Sequence, residues 1–441
     1  MTRSTTCLLM LLPLMACGDD TQTPADTDGT QTQGTGGTET EQPTASDSDE
    51  TASDSNDTDA TSTTAGVDSS SDDDGSDGGE TEAADGYPDE VTDALDLPYP
   101  PANYSAIDLP EHFLIDAVSN LINTPADNPI TDDGATLGRV LFYDTNLSAN
   151  ATVACASCHS QDIGFTDSAT LSEGFEGGFT GRNSMSLANS GYYPNGHFFW
   201  DERAETLEDQ VLLPIQDETE MGMTLEGLVS VVSEQPYYAA LFTEAFGDDE
   251  VTSERISLAL SQFVRAMVSY QTRYDEGLAM VANVQQDFPN FSAEENLGKS
   301  LFFSSQGNCA VCHVAGDGPP GPGQVVNEAI FQPIEALNNG LDANPTDEGA
   351  GGGRFKVGSL RNVALTGPYM HDGRFDTLEQ IIEHYDNGVQ AGPNTDPRIM
   401  PGGVPQNLGL SDAQKAAIVA FMETLTDQAL QDDPKFADPF L

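Results

Sequence analysis

The feature that most constrains this chain is a five-residue motif that occurs twice, as CASCH at 155–159 and as CAVCH at 309–313. Two thiols one helical turn apart can both bond the vinyl groups of a porphyrin, and the imidazole of the next residue then lies under the iron. The motif C-x-x-C-H is therefore typical of c-type haem attachment. We predict two covalently bound haem c groups, held by Cys155, Cys158 and His159 and by Cys309, Cys312 and His313.

Paired cysteines also occur in zinc sites and in the disulfides of exported proteins. Here both pairs are followed by histidine, and the only other cysteines are Cys7 and Cys17 near the N-terminus. These two facts favour haem over either alternative. The two copies lie 154 positions apart, which indicates one haem per domain, each domain a small helical cytochrome fold. Beyond the motif, we find no extended identity between the two halves.

The first seventeen residues, MTRSTTCLLMLLPLMAC, combine one basic residue, Arg3, with a short apolar run. The run is too short to span a bilayer and is typical of an export signal. A small residue before Cys17 is the pattern of a lipoprotein cleavage site, and an ordinary signal peptide with an incidental cysteine is the alternative. We expect an exported protein of the cell envelope or periplasm, anchored to a membrane only through lipid on Cys17.

Residues 18–94 are rich in Thr, Ser, Asp, Glu and Gly, and no Lys or Arg occurs between Arg3 and Arg139. Such a segment cannot bury enough apolar surface to offset the entropy of ordering, so we expect a solvated, disordered acidic tether. The net charge of −58 argues against binding to nucleic acid or to anionic lipid.

The remaining chain is predicted to be mainly α-helical, with an N-terminal haem domain at 95–285 and a C-terminal cytochrome c domain at 286–441. Helical apolar periodicity is clear, and strand-like alternation is scarce. Two of the helices begin with capping-box spacing, Ser292 to Glu295 and Ser411 to Gln414. Glycine and proline at 314–353 predict a long loop. The clearest periodic segments are 253–270, 292–303 and 411–425.

A haem that is bound by one histidine has a second axial position. If His or Met fills it, the haem transfers electrons, and if it is open, the iron can bind peroxide or oxygen. The function of this chain therefore depends on the two distal ligands.

Further segments accompany the haem motifs in a fixed order. Together they resemble the bacterial di-haem cytochrome c peroxidase and MauG superfamily, over roughly residues 108–430. The resemblance implies that peroxide reacts at the haem of the N-terminal domain and that electrons enter through the C-terminal haem. The segments are RNSMSLAN (182–189), FFWDERAETLEDQVLLPI (198–215), ETEMG (218–222) and LRNVALTGPYMHDGRFDTLEQIIEHY (360–385).

Many peroxidases of this family carry a distal histidine sixteen residues after the first proximal histidine. In this chain that position is Phe175, and no histidine occurs between His159 and His197. Because phenylalanine cannot bind iron, the resemblance implies an open first haem, as in MauG-like members.

The resemblance also implies roles for three residues near the first haem. Glu220 in ETEMG matches the distal acid, and cleavage of the O–O bond needs a group that moves a proton from one oxygen to the other. Gln210 matches a second distal residue. Trp200 matches the tryptophan between the haems, where an indole can relay electrons. A surface carboxylate and a core tryptophan are the ordinary alternatives.

The family also binds a calcium ion between its domains, at positions that match Asn183, Thr366 and Pro368. Amide and carbonyl oxygens suit a hard cation.

In the family, the sixth ligand of the second haem lies fourteen residues after the histidine of the PYxH block, which is His371 here. That count gives Tyr385, as in MauG, where the peroxidases have methionine. Met370 and Met400 are alternative ligands, and a tyrosine that only packs within a helix is the ordinary alternative for Tyr385. We expect His371 near the region between the haems and His384 at an exposed position.

Three functions follow from these residues. The first is a peroxidase that reduces hydrogen peroxide with electrons from a small periplasmic donor such as a cytochrome c or a cupredoxin. The second is a MauG-like, peroxide-dependent oxidase that modifies residues of a partner protein. The third is a non-catalytic electron-transfer cytochrome, which requires both irons to be six-coordinate.

Overall fold

The computed structural model describes residues 86–314, 328–333 and 335–441. The predicted signal segment with Cys17 and nearly all of the predicted tether lie outside the described residues. Within the ranges that are described, no helix combines the length and the apolar composition needed to cross a membrane.

The described chain is mainly helical, which confirms the predicted fold class. Its α-helices are joined by turns and short 3-10 helices, and a single π-helical turn occupies His384–Gly388. The helices are α1 (Asp89–Thr92), α2 (Asp116–Ser119), α3 (Asp132–Tyr143), α4 (Cys155–Cys158), α5 (Leu207–Gln210), α6 (Leu213–Gln216), α7 (Leu225–Glu234), α8 (Pro236–Phe246), α9 (Ser253–Ala266), α10 (Arg273–Ala279), α11 (Ala293–Phe302), α12 (Ala310–His313), α13 (Leu378–Glu383), α14 (Asp412–Glu423) and α15 (Gln428–Asp432).

The three periodic segments form α9, α11 and α14, and both predicted capping boxes are present. The Ser292 hydroxyl accepts from the Glu295 N–H at 3.1 Å, and the Glu295 carboxylate accepts from the Ser292 N–H at 2.6 Å. Ser411 and Gln414 make the equivalent pair at 3.4 and 3.0 Å. These bonds satisfy N–H groups that a helix start leaves without partners.

Each haem motif is supported by one closely packed helix pair. In the first half α3 crosses α9, and a Cβ added at Gly138 would lie 2.0 Å from the Ala259 carbonyl oxygen. In the second half α11 crosses α14, and a Cβ added at Gly298 would lie 1.7 Å from the Ala417 carbonyl oxygen. Both crossings therefore require glycine, because any side chain would push the helices apart.

A short sequence repeat accompanies these crossings, and the comparison of the two halves by sequence missed it. The segment LGRVLFY at 137–143 matches LGKSLFF at 297–303. The glycine precedes the first cysteine by seventeen residues in one half and by eleven in the other, so the copies do not align at a constant offset.

The end of the chain packs on the first half of the molecule. Leu430 and Phe436 belong to the same buried apolar cluster as the residues of α3 and α9. The Arg139 Nε donates to the Ala437 carbonyl at 2.6 Å, and Leu95 and Phe440 form an antiparallel bridge. The last residues of the predicted C-terminal domain thus contribute to the core of the N-terminal one.

Two short strands, β1 (Ala336–Leu337) and β2 (Phe355–Lys356), pair antiparallel. In the described part of the predicted loop 314–353, β1 is the only strand, and turns and bends make up most of the rest. The backbone N–H of Lys356 also donates to the Trp200 carbonyl at 2.8 Å. This bond joins the segment after the second motif to the segment after the first.

Candidate active site and haem-binding pockets

A cavity of about 510 Å³, here called the first cavity, lies beside the first cysteine motif. Cys158 and His159 line this cavity, and so do Trp200, Gln210 and Glu220. Its size falls in the range of small-molecule and cofactor sites. The fold thus brings the three residues expected to be catalytic to the same space as the proximal histidine.

The His159 imidazole is oriented by its Nδ1 atom. Nδ1 lies 3.0 Å from the Phe165 carbonyl oxygen and 3.3 Å from the Ser184 hydroxyl. Because a carbonyl can only accept, Nδ1 carries the proton, which leaves Nε2 as the metal-binding atom. Burial lowers the pKa of His159, so that the ring stays neutral as metal binding requires.

The four motif cysteines have the chemistry that haem attachment requires. None of the four forms a disulfide, and all four are half-buried, so each is available for a thioether bond to a porphyrin. Free thiols one helical turn apart, followed by a histidine on a cavity wall, fit a covalently bound haem in each half.

Glu220 is half-buried, and its environment favours the protonated form. Burial raises the pKa of its carboxyl and the negative charge of Asp217 raises it further, while Arg203 opposes both effects. The Glu220 N–H donates to the Asp217 carboxylate at 3.2 Å. A carboxyl whose pKa is moved towards neutral pH can both accept and return a proton.

Phe175 is fixed by the loop that carries Glu220. Its N–H donates to the Glu220 carbonyl at 3.1 Å, and its ring lies against Gly222, where an added Cβ would be 2.4 Å from the ring. At Gly174 an added Cβ would lie 1.6 Å from the Thr219 carbonyl oxygen. The two loops are therefore in direct backbone contact.

Two cations on the wall of the first cavity were missed by the sequence analysis. The Arg203 guanidinium lies 3.5 Å from the centre of the Phe199 ring and donates to Asp201 at 2.8 Å. Lys356 is buried, and its backbone bonds to Trp200. Arg203 belongs to the FFWDERAETLEDQVLLPI block quoted above, so a signal for it was available.

Trp200 lines both the first cavity and a second space of about 180 Å³, here called the middle cavity. Its indole Nε1 donates to the Asn183 carbonyl at 2.8 Å, which holds the ring in place. The wall of the middle cavity also includes His313 and Tyr385 from the second half. Trp200 is thus part of a wall that faces both haem-binding regions.

The second motif lies on a smaller cavity of about 90 Å³, here called the second cavity. Cys309, Cys312, His313 and Tyr385 all line it, and burial lowers the pKa of His313 to about 4. Tyr385 is carried by the π-helical turn, and burial raises the pKa of its phenol. Most other lining residues are apolar, including Phe302, Leu337, Val357, Leu360, Val363, Leu378, Ile381, Ile382, Ile399, Leu408, Leu410, Ile418 and Met422.

Met370 and Met400, the two alternative ligands of the second haem, lie in different parts of the structure. Met370 lines the middle cavity, where its sulfur accepts from the Asn339 amide at 3.3 Å. The same Asn339 side chain bonds Tyr385. Met400 lies outside the walls of these three cavities of the described chain.

The two histidines of the PYMHDG…EHY block are both buried. His371 lies between Trp200 and Phe355, with its ring stacked 3.6 Å from that of Phe355. The prediction that His384 is exposed is wrong, because its side chain is 6% exposed and its Nε2 lies 3.0 Å from the Asn339 carbonyl oxygen. His384 is buried because the segment that carries Asn339 packs over it, a contact that the local helical pattern does not predict.

The three residues expected to bind calcium all line the middle cavity. The Asn183 N–H donates to the His371 carbonyl at 2.9 Å, and its side-chain amide donates to the carbonyls of Ala169 and Thr170 at 3.2 Å. Thr366 and Pro368 reach the cavity from the second half.

Comparison with known proteins shows two matching family models. Residues 132–282 match the model described as di-haem cytochrome c peroxidase, and residues 296–426 match that of cytochrome c. The chain is 32% identical to the methylamine utilization protein MauG of Methylophilus methylotrophus, covering 70% of this chain and 87% of that protein. It is 34% identical to cytochrome c551 peroxidase of Nitrosomonas europaea, covering 72% and 85%.

Among solved structures, the chain resembles a MauG-like protein associated with microbial copper homeostasis. The TM-score is 0.61 at 32% sequence identity, and the match covers 76% of this chain and 99% of that protein.

Proposed function

Because the chain belongs to the di-haem cytochrome c peroxidase and MauG family, whose members carry two c-type haems, we propose that it reduces hydrogen peroxide to water in the first cavity. The reaction consumes one peroxide, two electrons and two protons and yields two waters. The bound haems would supply the electron transfer. The observation that carries the proposal is that Glu220, Gln210 and Trp200 share one cavity wall with His159.

Glu220 moves the proton in this proposal. As a carboxylate it takes a proton from the peroxide oxygen that binds first, and as a carboxylic acid it delivers that proton to the departing oxygen. Its raised pKa makes the carboxylate a better proton acceptor in the first step. The Gln210 amide, on the same wall, donates a hydrogen bond that orients the peroxide.

Trp200 connects the two halves, because it lines both the first and the middle cavities. We assign it the relay of electrons from the second half to the first. His313 and Tyr385 would hold the second haem in the second cavity, where electrons from a small periplasmic donor enter.

The test is peroxide consumption by the purified holoprotein with a reduced small cytochrome as donor. Glu220→Gln keeps the shape of the side chain and removes its proton transfer, so the rate should fall about 10²–10⁴-fold. Glu218→Gln, at an exposed position two residues away, is the matched control and should leave the rate unchanged. Equal rates for wild type and Glu220→Gln would contradict the proposal.

A MauG-like oxidation of a partner protein is the second candidate, and Phe175 and Tyr385 favour it. Both residues agree with MauG where the peroxidases carry histidine and methionine. Mass spectrometry of a protein encoded beside this one, incubated with the enzyme and peroxide, separates the candidates. Residue oxidation that depends on Glu220 supports the MauG-like reaction, whereas an unmodified partner supports the simple peroxidase.

A calcium ion in the middle cavity would be bound by oxygen atoms of Asn183, Thr366 and Pro368. Such an ion would link the two halves beside Trp200. Chelation should therefore release one calcium per chain and slow peroxide reduction, and Asn183→Ala should prevent calcium binding. A protein that contains no calcium but has full activity would refute the site.

Export and lipid attachment complete the proposal, and they rest on the MTRSTTCLLMLLPLMAC segment alone. Labelled fatty acid should be incorporated into the wild-type protein and not into Cys17→Ser. Incorporation of the label into both proteins would show that the lipid is attached to a residue other than Cys17.

A further inference from the structure

A buried cluster of a tyrosine, a carboxylate and a lysine lies next to Trp200. We propose that Tyr193 is a second oxidisable residue of this enzyme, which gives up one electron while its phenol proton moves to Glu202. The inference rests on the proposed peroxidase function, because peroxide supplies the oxidising equivalent.

Tyr193 is completely buried, and its hydroxyl donates a hydrogen bond to the Glu202 carboxylate. Loss of an electron alone would leave a positively charged phenol in a medium that solvates charge poorly. A proton acceptor already bonded to the hydroxyl removes that cost, because the proton leaves with the electron. Glu202 is half-buried, so it can also exchange the proton with solvent.

Lys356 connects this tyrosine to the active site. Its ammonium nitrogen lies 3.9 Å from the centre of the Tyr193 ring and donates to the His197 carbonyl at 2.8 Å. Its backbone N–H donates to the Trp200 carbonyl at 2.8 Å, and the residue lines the first cavity. A continuous path of contacts therefore runs from the Tyr193 ring to Trp200.

The charge of Lys356 bears on how easily the ring is oxidised. A cation over an aromatic face attracts the π electrons and opposes their removal. Burial lowers the pKa of Lys356 to about 7, although Glu202 opposes the shift. Near neutral pH a large share of the lysine is therefore uncharged, and the ring is then easier to oxidise.

In the oxidation of Tyr193 its O–H bond breaks, the proton binds a Glu202 oxygen, and the electron reduces the peroxide-oxidised active site by one equivalent. The product is a neutral tyrosyl radical. A later electron from the donor, together with the proton held by Glu202, restores the phenol.

The experiment uses the holoprotein mixed with peroxide in the absence of donor, frozen rapidly and measured by electron paramagnetic resonance. Wild type should give an organic radical whose signal narrows when tyrosine is ring-deuterated. Tyr193→Phe should abolish this signal. The matched control is Tyr192→Phe, because Tyr192 is also buried but packs on Phe113 and has no carboxylate partner among the described residues.

A second variant tests the proton transfer. Glu202→Gln keeps a hydrogen-bond acceptor and cannot take the proton, so the tyrosyl signal should be lost although Tyr193 remains. Peptide mass spectrometry after excess peroxide should find an oxidised Tyr193 in wild type and in Tyr192→Phe, and none in Glu202→Gln.

Peroxide consumption is measured in the same samples, because it separates two kinds of failure. Peroxide consumed without a tyrosyl radical, or with the same radical in Tyr193→Phe, overturns the role of Tyr193 and leaves the peroxidase function intact. No peroxide consumption at all overturns both.

Discussion

The cavity beside His159 measures about 510 Å³ and has acidic, basic and amide side chains on its wall, whereas the cavity beside His313 measures about 90 Å³ and is mostly apolar. Yet each motif is supported by an equivalent pair of crossing helices with a glycine at the contact. The helix pair therefore accounts for haem attachment, and the loops between the motifs and the later helices account for the difference in chemistry.

Polar groups in the first half converge because two loops meet. Glu220 and Phe175 are joined by a backbone hydrogen bond, and the glycines at that contact leave no room for side chains. In the second half the equivalent space is filled by apolar side chains and by Tyr385. Small substrates are thus expected to react only in the first half.

Among the variants considered, Tyr385→Met should change the difference between the two haems most. In the function proposed here Tyr385 is a phenolate ligand, and its replacement by a thioether should raise the potential of the second haem by roughly 0.1–0.3 V, within the range of about 0.8 V over which axial ligands act. Redox titration of the holoprotein measures the change. The first haem should keep its potential, and a shift of both would show that Tyr385 does not belong to one site.

Gly138→Ala and Gly298→Ala test whether the two helix crossings are equivalent. Each should lower the free energy of unfolding by about 1–3 kcal/mol, because the added methyl group meets a backbone carbonyl. Thermal unfolding provides the measurement, with Gly181→Ala as control, since nothing lies within 4 Å of a Cβ there. A large effect in only one half would show that the crossings differ in tightness.

The pH dependence of peroxide reduction should move in opposite directions in two variants of the first cavity. In the proposed function Glu220 acts first as a base, so the rate should fall as the pH drops through its raised pKa. Asp217→Asn removes a negative charge that raises this pKa. The fall in rate at acidic pH, here called the acid limb, should therefore move to lower pH. Arg203→Met removes a charge that lowers this pKa and should shift the limb to higher pH.

Both shifts should be small, about one pH unit or less, because Asp217 and Arg203 are exposed and screened by solvent. Arg203→Lys keeps the charge and should leave the acid limb in place. Shifts of both variants in the same direction would show that the limb belongs to a group other than Glu220.

Much of this organisation was predictable from sequence because it is local. The cysteine motifs, the capping boxes and the main helices each depend on residues within a few positions of one another. The sequence segments also led to Glu220, Gln210 and Trp200, which the fold brings to one cavity.

Other features depend on contacts between distant segments. Lys356 was missed because a lysine in an acidic chain is ordinarily exposed, and only the pairing of β1 with β2 and the bond to Trp200 bury it. The burial of His384 depends on its contact with Asn339, 45 residues earlier in the chain. The packing of Phe436 on the first core requires the chain to return across the molecule, which no local pattern indicates.

We infer that the first haem is open to small molecules and that the second is closed. Electron paramagnetic resonance of the oxidised holoprotein, with and without cyanide, distinguishes an open haem from a closed one. The spectrum should contain one high-spin component that cyanide converts, and one low-spin component that cyanide leaves unchanged and that Tyr385→Phe alters. Two low-spin components that are insensitive to cyanide would contradict it and would indicate a protein that only transfers electrons.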